Sequence, residues 1–232
     1  MIFGKIDYIN LLPFYIFLKK ELKSSSFRAA LEHKKGVPSK INKDFKKRKI
    51  DAAFISSICS KNKKCTNLGI VAKKDILSVI VCPGKKRLDL ESNTSNILAD
   101  ILNQEGEVLI GDKALKRSKN DKNCKDLAKL WFEKYRLPFV FARLCYNKDK
   151  KLYKKLTKKF LNKKIKIPRY ILLKYSKKST LLPQEILDYL SLIEYKIGKK
   201  EEIALKKFLY LSKRKKNGKR AFISLQRDIN KK

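Results

Sequence analysis

A chain of 232 residues that is 43% hydrophobic can bury a real core, as one large domain or two small lobes, which excludes a fibrous or disordered class. The 59 Lys plus Arg against 22 Asp plus Glu give a net charge of +37 and raise nucleic acid or an anionic membrane as partners. The basic residues are overwhelmingly Lys, however, and are spread through nearly every segment rather than gathered in an Arg-rich stripe, which favours a solvated surface with some steering of anionic substrates over a specific nucleic-acid interface.

In chain order, Ile2 to Ile6 alternates as a strand, and from Leu11 the residues Leu11, Leu12, Tyr15, Ile16 and Leu18 follow helical spacing. Asp7, Tyr8 and Asn10 then occupy the turn at the carboxyl end of a first strand, where open α/β sheets present groups to ligands. The same residues also suit an ordinary turn with Asn10 as helix cap and Pro13 in the first helical turn, so both readings are open here. Phe27 to Glu32 reads as a short strand with His33 on it or at its edge. Pro38 and Ser39 open a helix reaching about Arg48. Ile50 to Ser57 is a buried strand ending in two hydroxyls.

Leu68 to Ala72 and Ile76 to Cys82 read as strands about a Lys-Lys-Asp turn, with Ser78 the lone polar residue in its run, until Pro83 and Gly84 stop it. Ser92 to Asn96 leads into Ile97, Leu98, Ile101 and Leu102, a hydroxyl-rich helix N-terminus suited equally to capping and to binding a carboxylate. Glu107 to Asp112 is a further strand, with Gly111 and Asp112 at its end. Asp126 to Tyr135 is an amphipathic helix and Leu137 to Ala142 a returning buried strand. Beyond Asp149 the pattern is entirely helical, with Lys-rich outer faces, and the basic tail from Leu225 is expected to fray.

Cys59, Cys65, Cys82, Cys124 and Cys145 form an odd set without a C-x-x-C pair, and His33 is the single histidine, so neither a disulfide framework nor a zinc site is expected. Cys59 and Cys65 read as reduced thiols in a Lys-rich loop. The N-terminal sequence has no secretory pattern and no apolar run reaches about 18 residues, so a cytoplasmic protein without membrane insertion is expected.

Taken together, these segments resemble the chorismate dehydratases of the futalosine route to menaquinone. The resemblance is carried by Gly4 to Asn10 with Pro13, Pro38-Ser39, Ile50-Asp51, Ile55-Ser56-Ser57, Ser78-Val79, Ser92 with Thr94-Ser95, Ile110-Gly111-Asp112 with Ala114-Leu115, Asp126-Leu127 with Trp131, Leu137 to Ala142, and Ile186 to Leu190. It departs at Ile58-Cys59, at Tyr135-Arg136, at Lys74-Asp75-Ile76 and in a short loop between the Ser92 helix and the Glu107 strand, in connections more than at strand ends. The resemblance implies an α/β, two-lobed type II periplasmic-binding-protein-like fold, each lobe a central mixed sheet flanked by helices, with a helical C-terminal region. Residues 1–78 would begin the first lobe, 79–144 form the second, and 145–232 return to the first, with crossovers near Ser78 and Leu144.

It further implies dehydration of chorismate to 3-[(1-carboxyvinyl)oxy]benzoate without metal or other cofactor. Asn10 would take part in proton transfer, and Ser57, Ser78, Thr94 and Ser95 would hold the two substrate carboxylates across the cleft, with Asp112 a secondary contact. Lys5 and Arg143 fall near the expected cleft edge. A small-carboxylate-binding protein of the same fold and a basic nucleic-acid-binding protein remain as rival readings.

Overall fold

The computed structural model describes residues 2–22 and 24–229. It contains two sheets. Strands β1 (Phe3–Gly4), β2 (Ala52–Ser56), β3 (Cys65–Ala72), β7 (Phe139–Tyr146) and β8 (Ile193–Lys196) form a five-stranded sheet in the order β1-β2-β7-β3-β8. Only β1 and β2 are parallel; the other pairs run antiparallel. Strands β4 (Val79–Cys82), β5 (Glu107–Ile110) and β6 (Lys125–Asp126) form a second, antiparallel sheet in the order β5-β4-β6. The α/β, two-lobed organisation expected from the sequence is therefore present.

The chain leaves the first sheet between Ala72 and Val79, in the region of Ser78, but β7 pairs with β2 from Ala52↔Tyr146 to Ser56↔Ala142. The return thus precedes Phe139, and Leu144 sits in mid-strand opposite Phe54 rather than at a crossover.

Helix α1 (Leu12–Glu21) follows the 3-10 turn Ile9–Leu11, and its Phe14 lies 5.8 Å from Phe3, 5.0 Å from Phe54 and 5.3 Å from Phe160, ring centre to ring centre. One side chain thereby joins β1, β2 and α7 (Lys150–Leu161) in a single core. Helix α3 (Pro38–Lys46) starts where expected. Residues Ser25–His33 form helix α2 instead of a strand; the Ala-Ala-Leu-Glu run favours a helix, and an apolar run this short does not decide between the two by periodicity. His33 accordingly ends a helix.

Helices α8 (Arg169–Ser179) and α9 (Pro183–Ser191) follow α7, but the C-terminal region is not entirely helical. Ile193 to Lys196 is strand β8, recruited by antiparallel pairing of Ala72 with Ile193 and Val71 with Glu194, a partnership 121 or more residues distant that local spacing does not register. Helix α10 (Lys199–Ile229) carries the tail expected to fray as helix through Ile229; 230–232 lie outside the described residues. Before that it touches both sheets' layers, with Phe208 5.0 Å from Phe139 and Lys215 Nζ 2.8 Å from Asn103 Oδ1.

The cysteine expectation is corrected as well. Cys65 bonds to Cys145, its register partner across β3 and β7, and Cys82 bonds to Cys124, leaving Cys59 free and exposed. An odd count leaves one thiol over without preventing pairs, and sheet register brings together cysteines 80 residues apart. Among the described residues no group of His, Cys, Asp and Glu is arranged to hold a metal ion, and no helix is long and apolar enough to cross a membrane.

An ion cluster fixes the segment after β1. Asp7 accepts from Lys35 Nζ at 2.7 Å, Lys178 Nζ at 3.0 Å and the Tyr175 hydroxyl at 2.8 Å. Burial pushes the Asp7 carboxyl up, but Lys35, Tyr175, Lys178 and the nearby Lys5 outweigh it and hold the group far below the ordinary carboxylate range. A depressed acid stabilises the fold above its unfolded value of 3.8 and loses that contribution as pH falls toward the folded value. Asp7→Asn is therefore expected to lower the urea midpoint at pH 7, and the gap from wild type is expected to narrow steadily below about pH 4; a gap independent of pH between 2 and 7 contradicts this account.

Candidate active site

A small cavity opens between the two sheets. Its first wall comes from Ile6, Tyr8, Asn10 and Leu11 after β1, Phe54 and Ser56 on β2, Ile70 on β3, and Phe141 and Ala142 on β7. The facing wall comes from Ile76, Ser78 and Val79 leading into β4, Ser92 and Ser95 at the start of helix α4 (Asn93–Ile101), and Ile110 and Gly111 where β5 enters helix α5 (Gly111–Asn120). The lining is apolar with a few uncharged polar groups, a surface that orients a ligand by hydrogen bonds rather than by a metal or an ion pair.

Three of the expected residues meet here: Asn10, Ser78 and Ser95. Asn10 sits in the 3-10 turn, whose backbone is fastened from two sides. The Tyr195 hydroxyl donates to the Asn10 carbonyl at 2.7 Å, and the Ile9 N–H donates to the Asp112 carboxylate at 3.2 Å. The Asn10 side-chain Oδ1 is buried and has no hydrogen-bond partner, an unspent acceptor on the cavity wall.

Ser78 is aimed by a strained turn. The Ser78 N–H donates to the Ile76 carbonyl at 2.7 Å, and Leu77 between them takes φ 59°, a left-handed conformation that a leucine adopts at a cost. The carboxylate of Asp126 holds the turn, accepting from Ile76 N–H at 2.7 Å and Leu77 N–H at 2.6 Å. Its other oxygen caps helix α6 (Leu127–Tyr135), accepting from Ala128 at 2.7 Å and Lys129 at 3.1 Å. Replacing Asp126 by Ala strands four backbone donors and is expected to cost about 2–3 kcal/mol in denaturant stability and to lower turnover besides. Unchanged turnover in the folded fraction would show that the clamp does not govern Ser78.

Ser92 caps α4, its Oγ accepting from Ser95 N–H at 3.2 Å and lying 2.9 Å from Ser95 Oγ. The two hydroxyls stand at the positive end of a nine-residue helix, a place that favours an anionic ligand group.

Ser57, Thr94 and Asp112 are not brought to the cavity wall. Ser57 donates its hydroxyl to the Val140 carbonyl, because alternation along β2 sends Phe54 and Ser56 to the cavity and Ser57 to the other side. Ser56 stands in its place, with Asn42 donating to its Oγ at 2.8 Å. Thr94 accepts from Ile58 N–H at 3.3 Å and so links the end of β2 to α4. Asp112 supports the Asn10 turn from α5, and burial pushes its carboxyl up. Lys5 is committed to Glu32 at 2.8 Å, while Arg143 lines a separate basic pocket with Lys63, Lys64 and Lys148.

Tyr8 and Gly111 complete the site. Tyr8 donates its hydroxyl to Glu91, and burial first, then the neighbouring Glu91, Asp89 and Asp112, raises its phenol far above the ordinary value. Its ring lies against Gly111, where φ is +65° and an added Cβ would come within 2.9 Å of the ring, so only glycine fits. Tyr195, which holds the Asn10 carbonyl, gives no sequence signal, since it continues an apolar pattern; the strand alternation at Ser56 is the one readable clue.

The chain is 52% identical over 214 residues to the chorismate dehydratase of Campylobacter jejuni subsp. jejuni serotype O:23/36 (strain 81-176), covering 90% of this chain and 96% of that one. The crystal structure of protein AF1704 from Archaeoglobus fulgidus shares its fold, with a TM-score of 0.63 at 12% identity over 92% of this chain and 96% of that one. A profile described as menaquinone biosynthesis matches residues 1–105 and 84–214. With the match running through the whole cavity wall, the chain belongs to the menaquinone-biosynthesis family.

Proposed function

We propose that this protein is a chorismate dehydratase, a carbon-oxygen hydro-lyase that works in the cytoplasm and converts chorismate to 3-[(1-carboxyvinyl)oxy]benzoate and water in menaquinone biosynthesis. The 52% identity with the Campylobacter enzyme over nearly its full length carries this reading. The cavity supports it, because the polar groups it offers are the kind the reaction needs.

In the reaction the ring C3 proton and the C4 hydroxyl leave, and the six-membered ring becomes aromatic, which supplies the driving force. The protein has to orient a dicarboxylate, direct the departing proton and hydrogen-bond the departing oxygen. An amide is too weak a base to keep a proton, so Asn10 Oδ1 acts as an acceptor that orients a water or the substrate's own carboxylate. Ser78 donates to an oxygen of the substrate, and Ser92 and Ser95 with the N-terminus of α4 receive a carboxylate. The net positive charge of the chain steers the dianion toward the protein.

Incubating the purified protein with chorismate tests the reading. A product with aromatic ultraviolet absorbance and a mass lower than chorismate by one water is expected. Saturable binding with no change in mass would favour the small-carboxylate-binding alternative and overturn the enzyme reading.

A further inference from the structure

An arginine on the far face of the five-stranded sheet has no partner among the described residues. Arg143 stands opposite Ile55 of β2 and Gly69 of β3, and strand alternation turns it away from Phe54, Ser56 and Ala142, which line the cavity. It lines a second pocket with Lys63, Lys64, Lys148, Asp149 and Lys150, where the chain enters β3 and where β7 gives way to α7. The side chain is partly buried, and its Nε is closed off from solvent with no hydrogen-bond acceptor. Glu202 of α10 is close enough to favour its charge but forms no ion pair with it.

Exposed lysines carry their charge in water at little cost, and this chain has many. A guanidinium shut off from water at one nitrogen has lost hydration there and gained no acceptor in return, which is unfavourable. Burial pushes the group down from its ordinary value, and the field of Glu202 restores part of the difference. Four lysines on the same wall add repulsion, against Asp149 as the single acid of the lining. Helix α7 begins there with no side-chain cap and no acid in its first turn, so its positive end adds to the field. A compact anion relieves this excess of charge. A carboxylate brings one negative charge, whereas a phosphoryl group brings nearly two and presents three oxygens to the planar fork of an arginine.

We propose that this pocket is a second ligand site, which takes the phosphoryl group of a small free molecule with Arg143 as its forked donor and the surrounding lysines as its charge. The site is independent of the dehydratase reading, and its test measures binding rather than turnover.

The full chain is titrated with inorganic diphosphate by calorimetry in about 150 mM NaCl, where long-range attraction is screened. Saturable binding of one diphosphate per chain is expected, and its absence in wild type overturns the proposal whether or not any variant folds. Arg143→Gln is expected to weaken binding about 10-fold or more, and Lys64→Gln on the rim about threefold. Lys116→Gln removes one exposed charge from α5 in the other lobe and is expected to change the affinity less than twofold. Equal losses in all three variants would mean that diphosphate answers to the net charge of the chain, and that overturns the site.

Two further titrations locate the ligand and fix its kind. Chorismate in excess is expected to leave diphosphate binding unchanged, because the cavity opens on the opposite face; displacement would assign diphosphate to the cavity and overturn the proposal. Duplex DNA is expected to lose the same small amount of affinity in Arg143→Gln as in Lys116→Gln. A loss of DNA binding confined to Arg143→Gln would make a polymer the ligand and overturn the assignment to a small molecule.

Discussion

Asn10→Ala is expected to lower chorismate turnover by about 10²-fold or more while leaving the thermal midpoint within a few degrees of wild type. The two parts of this expectation have different causes. The 3-10 turn is held by its backbone, through the Tyr195 hydroxyl on the Asn10 carbonyl and Asp112 on the Ile9 N–H, and neither bond involves the Asn10 side chain. Deleting that side chain removes a buried acceptor that has no partner in the fold, so stability changes little. Turnover changes greatly because the acceptor faces the cavity where the proton must be directed. Steady-state kinetics and a thermal melt on one preparation check both parts, and wild-type turnover by the variant would remove Asn10 from the chemistry.

Trp131→Ala is expected to have the largest effect on stability, about 3–5 kcal/mol. Trp131 on α6 is fully buried, 5.2 Å from Phe139 on β7 and 6.3 Å from Phe208 on α10, and its indole N–H donates to the Pro138 carbonyl at 3.1 Å. It therefore joins the segment returning to the first sheet, the layer over the second sheet and the C-terminal helix. Truncation opens a large void and leaves the Pro138 carbonyl without its donor. Trp131→Phe fills most of the void and is expected to recover more than half of the loss. Urea titrations of the two variants measure this; equal losses would mean that the hydrogen bond, not the ring volume, dominates.

Much of the fold was legible because its signals are local. Proline at the first position of α3, Asp126 ahead of an apolar helical run and the hydroxyls before α4 each mark a helix start through short-range bonding. The strand β8 and the two disulfides were not legible, since each depends on sheet register between segments far apart in sequence. On the cavity wall, Asn10 and Ser95 stand out in the sequence as polar residues at element ends, and Ser78 as the lone polar residue of an apolar run. Ser56 and Ser57 look alike in sequence, and only the facing of β2 separates them. Tyr195 behind Asn10 was invisible because a buried tyrosine fits an apolar pattern as well as a phenylalanine does, and its hydroxyl acquires meaning only from what it meets.

The two-ended grip of Asp126 makes accuracy of assembly and accuracy of chemistry one and the same quantity in this protein. A carboxylate outside the cavity lining begins one helix and fixes the turn that carries a hydroxyl on the cavity wall. Any drift in how α6 seats itself is thus converted into a shift of Ser78, several bonds away, and a residue of wholly architectural duty sets the shape of the cavity wall.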